Sequence, residues 1–113
     1  MPQGNPFTSV GSVRIHTVRL PCYLVEWYRP EFDTDQVGDT VARLDEGVAT
    51  MCGEGVEVQL LMTLAMPSDE TIFGVFAAHR EEDVYEVCRR AGVPVERLAT
   101  ALDARIAGRP WTR

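Results

Sequence analysis

Val56-Glu-Val-Gln-Leu-Leu-Met-Thr-Leu-Ala-Met-Pro-Ser-Asp-Glu-Thr-Ile-Phe-Gly-Val-Phe-Ala-Ala78 is the part of the chain on which the fold turns. Val56 to Met66 reads as a long extended segment. Pro67-Ser-Asp-Glu70 has the residue types of a tight turn, with Pro fixing its own φ and Asp able to bond nearby backbone amides. Thr71 to Ala78 should then return antiparallel as a hairpin partner. Leu61, Met62, Leu64 and Met66 with Ile72, Phe73, Val75 and Phe76 supply apolar side chains to both faces of such a hairpin.

Moving outward, each flank reads as a helix. Upstream, Asp33 can cap a helix whose third position is Gln36, and Val37, Val41, Leu44, Val48 and Met51 recur at helical spacing through Cys52. Gly53-Glu-Gly55 supplies its stop. Downstream, Arg80 to Ala91 places Val84, Val87, Cys88 and Ala91 on one stripe, with three acids in the first turn and Arg89 and Arg90 in the last. Gly92 and Pro94 end it. Beyond the upstream helix, Cys22-Tyr-Leu-Val-Glu-Trp-Tyr28 is an aromatic, β-branched strand with Leu24, Glu26 and Tyr28 on one side and Tyr23, Val25 and Trp27 on the other. Val95 to Ile106 is ambiguous: Leu98, Leu102 and Ile106 keep helical spacing, whereas a last strand would complete a repeated plan.

Strand, helix, strand, strand, helix and final segment make an α+β, ferredoxin-like βαββαβ arrangement, a four-stranded antiparallel sheet with two helices on one face. Two helices cover one face only. A symmetric homodimer packed sheet on sheet, a dimeric α/β barrel-type assembly, would satisfy the other. The expected organisation is a flexible extension over residues 1–20, the domain over 21–107 and a tail over 108–113 carrying Trp111. Within the extension, Val13 to Leu20 alternates enough to fit an extra edge strand.

The 113 residues are 45% hydrophobic and 25% charged, the proportions of one globular domain. A formal charge of -6 disfavours nucleic acid and anionic lipid as partners. No run reaches the length of a membrane helix, since Thr63 and Pro67 interrupt Leu60 to Met66, and the first twenty residues lack the compact apolar segment of a secretory signal. A cytoplasmic location is expected. Cys22, Cys52 and Cys88 are odd in number and far apart, which points to reduced thiols rather than disulfides or a zinc knuckle.

Tyr23 to Glu31 (Tyr-Leu-Val-Glu-Trp-Tyr-Arg-Pro-Glu), Pro67 to Phe76 (Pro-Ser-Asp-Glu-Thr-Ile-Phe-Gly-Val-Phe) and Arg89 to Leu98 (Arg-Arg-Ala-Gly-Val-Pro-Val-Glu-Arg-Leu) together resemble the blocks of a small bacterial family, uncharacterised and named for a nickel-binding member. The resemblance runs over about Cys22 to Ile106. It implies a dimeric ferredoxin-like fold, resolves the last segment toward a strand, and brings in nickel or another divalent transition metal as a ligand. This chain departs from those relatives at Ile72, Gly74 and Ala77, where cysteine and glutamate are frequent. It also has Trp27 and Tyr28 where metal-binding relatives carry a histidine.

Glu26, a carboxylate inside an apolar strand, is the first candidate for ligand contact or metal coordination; its bland reading is an ion pair with an arginine such as Arg29, or an exposed place on the open sheet face. His79 is the second metal candidate, weighed against a helix cap or a solvated side chain. Tyr23, Tyr28 and Phe73, with Trp27, are candidates to line a ligand cavity, against plain core. Cys52 and Cys88 sit on apolar stripes and read as core. No phosphate loop, nucleophile elbow, paired-histidine motif or calcium loop is present. The leading expectation is therefore a cytoplasmic ligand-binding module that takes a small ligand or metal ion. The other readings are a cofactor-independent enzyme of the dimeric α/β barrel kind, such as a monooxygenase or isomerase, and a regulatory interaction module.

Overall fold

The structure is a computed structural model that describes residues 15–17, 19–101 and 103–107. The loose tail expected over Met1 to Gly11 and the segment 108–113 with Trp111 lie outside the described residues. The elements are β1 (Ile15–Thr17), β2 (Cys22–Tyr28), α1 (Thr34–Gly53), β3 (Val58–Met66), a 3₁₀ turn (Pro67–Asp69), β4 (Thr71–Ala78), α2 (Glu81–Arg90), β5 (Arg97–Ala101) and β6 (Arg105–Ala107). β2, β3, β4 and β5 form an antiparallel sheet in the order β3-β4-β2-β5. With α1 and α2 it is the ferredoxin-like α+β architecture. Among the described residues no helix is long and apolar enough to cross a membrane.

Local chemistry sets the element ends. Asp33 accepts from the Gln36 amide at 2.8 Å while the Gln36 side chain accepts from the Asp33 amide at 2.8 Å, a complete capping box at the start of α1. Glu70, at φ 52°, closes the 3₁₀ turn, its amide donating to the Pro67 carbonyl at 3.1 Å. Acids in the first turn of α2 and Arg89 and Arg90 in its last complement the helix dipole.

The helix-facing side of the sheet is packed. Tyr23, Val25, Trp27, Val58, Ile72 and Phe76 meet Leu44 and Met51 of α1 and Val84, Val87 and Cys88 of α2. Trp27 and Phe76 stack edge to face with centroids 6.4 Å apart. Gly74 lets this happen: a Cβ there would lie 2.9 Å from two ring carbons of Trp27. Gly47 plays a similar part between the helices, where a Cβ would stand 3.3 Å from the Val87 carbonyl oxygen.

Several expectations shift in detail. Cys88 is buried, but Cys52 is exposed in the last turn of α1 and does not join the core. The last segment supplies a strand, as the resemblance implies: β5 has a full ladder against β2, with Val25 opposite Leu98 and Leu24 opposite Ala99. Among the described residues β6 pairs with β1, Ile15 opposite Ala107, as a ribbon separate from the main sheet. Part of the expected 1–20 extension is thus a strand.

Candidate functional site

Among the described residues the second face of the sheet carries no helix, and the register shows what it presents. One row runs Leu64, Phe73, Glu26, Arg97 across β3, β4, β2 and β5; the next runs Met62, Val75, Leu24, Ala99. Directly opposed residues share a face. Glu26 is therefore set in an apolar surface, with Phe73 on one flank and Arg97 on the other. Its carboxylate stands 3.7 Å from the Arg97 guanidinium, a loose pair in which the glutamate is 27% exposed and the arginine 74%. Met62 and Leu64 are 53% and 48% exposed.

A β-bulge places them there. The register slips between Leu60, which opposes Phe76 on the helix side, and Met62, which opposes Val75 on the open side. One extra residue inverts everything after it. Without the slip, Met62 and Leu64 would follow Leu60 into the core and Thr63 and Ala65 would face outward.

At the end of this face Tyr28 is exposed and donates its hydroxyl to Glu70 at 3.0 Å. That hydrogen bond and the glutamate charge push the Tyr28 phenol above its ordinary range. The Tyr28 amide donates to Glu96 at 2.9 Å, and Arg29 pairs with the same carboxylate. Burial opposes ionisation of Glu96, yet these two partners hold it below the usual carboxylate range.

The sequence candidates do not all converge. Glu26, Phe73 and Tyr28 share the open face. Tyr23 lies on the opposite side of the same strand, in the core. His79 follows Ala78 at the far end of β4, about 20 Å along the strand from Phe73 by its rise per residue. It faces solvent, its Nε2 3.0 Å from Glu57 Oε1. Glu26 and His79 of one copy thus cannot hold the same ion, and no group of three or more His, Cys, Asp or Glu is gathered among the described residues. Glu26 pairs with Arg97 rather than Arg29, which belongs to Glu96. The thiols offer little: burial pushes Cys88 up to about 12 and, with Asp103 nearby, raises Cys22 as well.

One concavity went unread in the sequence. Phe32, Gln36, Asp39, Thr40, Arg43, Ile72 and Val93 line a cleft of about 250 Å³ between the first turns of α1, the segment leaving β2 and the turn after α2. Its one available signal was Arg43, the single base on a helix that also holds Asp35, Asp39, Asp45 and Glu46. Helical periodicity put Arg43 outside the apolar stripe, and nothing in the spacing said what would fold over it.

No protein-family model matches the chain, and no curated protein matches it. Among solved structures it is similar to SCO4226 from Streptomyces coelicolor A3(2), at 16% identity and a TM-score of 0.60, over 72% of this chain and 95% of that one. At that identity the likeness bears on the fold alone.

Proposed function

We propose that this protein is a small ligand-binding module that works as a homodimer in the cytoplasm, two copies packing their open sheet faces around Glu26. The observation that carries the reading is a carboxylate set among Leu24, Phe73 and Leu64 on a face whose Met62 and Leu64 stand half exposed. A second copy is the occupant favoured by charge. The chain carries -6 overall, but each of these faces carries Glu26 against Arg97, so two of them meet without like-charge repulsion. Burial of apolar side chains supplies the driving force, at roughly 25 cal/mol per Å² removed from water.

The ligand class is a small molecule or a divalent transition metal such as nickel, the latter supported by the family resemblance. One copy gathers no three-donor cluster among its described residues. A metal would therefore draw Glu26 from both copies, which makes binding conditional on assembly. The sheet-helix interior is filled by Trp27, Phe76 and Leu44, so the open face is favoured over an internal catalytic chamber.

Sedimentation equilibrium of the full chain tests the assembly, with a dimer expected at micromolar concentration and a folded monomer for Met62→Glu/Leu64→Glu. A monomeric wild type would overturn it and leave the face to another protein. Nickel and zinc titrations of the wild type and Glu26→Gln test the ligand. Equal binding by both would remove Glu26 from the role.

A further inference from the structure

We infer that the cleft beside α1 is a second binding site, distinct from the open sheet face, and that it takes a small apolar α-amino acid as its zwitterion. Three independent features lead there.

The first is an orphan hydroxyl. Thr40 is only 8% exposed, lines the cleft, and its side chain has no hydrogen-bond partner among the described residues. Buried polar side chains are nearly always bonded, so an unpartnered one on the wall of a cleft marks a missing acceptor or donor. The second is an acid and a base that decline each other. Asp39 and Arg43 stand four residues apart on α1, the spacing at which opposite charges ordinarily meet along a helix. Here both line the cleft with their charges exposed to solvent, and neither takes part in an ion pair among the described residues. Arg29, on the same rim, is already committed to Glu96, which leaves Arg43 as the available cation.

The third feature is the floor. Phe32, Ile72 and Val93 make it apolar, in a volume of about 250 Å³. That space holds roughly eight water-sized groups, the size of valine or leucine. A carboxylate against Arg43 and the Thr40 hydroxyl, an ammonium against Asp39 and a branched side chain on the floor use every unpaired group named. Gln36 adds a donor: its carbonyl oxygen is held by the Asp33 amide, so its amide nitrogen stays available at the rim. A carboxylic acid lacking the ammonium would forgo the contact with Asp39, and an amine lacking the carboxylate would forgo those with Arg43 and Thr40.

The test is calorimetric titration and thermal melting of the full chain with leucine, valine, 4-methylpentanoate and isoamylamine. The variants are Arg43→Gln, Asp39→Asn and Glu26→Gln. Leucine or valine should bind the wild type and raise its melting temperature. Arg43→Gln and Asp39→Asn, both surface changes, should each weaken binding by at least about tenfold. Glu26→Gln lies on the other face and should bind as the wild type does, so failure of the homodimer reading and failure of this one are separable. The inference is overturned if neither amino acid binds at millimolar concentration, if binding survives both cleft substitutions, or if 4-methylpentanoate binds as tightly as leucine.

Discussion

Trp27 ties the sheet to the loop that follows α2. Its ring is buried against Gly74 and Phe76, and its Nε1–H donates to the Val93 carbonyl at 2.9 Å. The hydrogen bond satisfies the one polar atom of the ring in a place water does not reach, and leaving such an atom unpaired costs about 1–3 kcal/mol. Because both ends are fixed, the ring has nowhere to retreat. Gly74→Ala should therefore destabilise the protein by about 1–3 kcal/mol through overpacking, read as a lower urea midpoint. An unchanged midpoint would mean that the ring yields and the contact is not the constraint described here. Trp27 also marks how far residues alone could be read. Its side of β2 followed from alternation, with Tyr23 and Val25 beside it, but that it needs a glycine across the ladder depends on which residue of β4 the register brings opposite its neighbour Val25.

At the scale of elements, α2 is held to α1 by charge as well as by its buried stripe. Glu86 accepts from Arg89 at 2.9 and 2.7 Å and from Arg90 at 2.7 Å, and Arg90 reaches Glu54 at the end of α1 at 2.9 Å. Hydrogen bonds from Arg89 and Arg90 lower the Glu86 carboxyl to about 2, and the bonds to Glu54 and Glu86 raise Arg90. A carboxyl lowered on folding contributes stability that is complete above its unfolded value near 4.5 and fades as pH falls toward 2. The network is on the surface, so solvent and salt screen it. Wild type should lose more stability than Glu86→Gln between pH 5 and about 2.5 in low salt, by urea midpoints, and the gap should narrow at high salt. Parallel pH curves would show that the network adds nothing. The capping box, the turn at Pro67 and the bounds of β2 and β4 were legible because each depends on near neighbours in the chain. The bulge at Leu61 was not, since Val56 to Met66 carries apolar residues on both alternations and either register buries a similar set.

Across the whole molecule, two units of unequal support are joined. The four-stranded sheet and its helices share one core, whereas β1 and β6 bond to each other in a ribbon outside that sheet. A two-stranded ribbon buries too little to be stable by itself. Amide exchange should therefore be far faster in Ile15–Thr17 and Arg105–Ala107 than in β2 and β4, where it should approach the global unfolding limit. Equal protection would place the ribbon in the same cooperative unit. By itself the sequence determined the element order, the capped helix, the hairpin and hence the ferredoxin-like α+β fold, because hydrophobic period, caps and turns are written into neighbouring residues. Only the tertiary structure decided that Arg97–Ala101 pairs with β2 while Arg105–Ala107 pairs with β1, that Met62 and Leu64 face outward, that Glu26 and His79 stand apart, and that Asp39, Thr40 and Arg43 share a cleft. Each of these depends on which distant segment lies alongside, and that is set by pairing and packing energies summed over the molecule rather than by any local pattern.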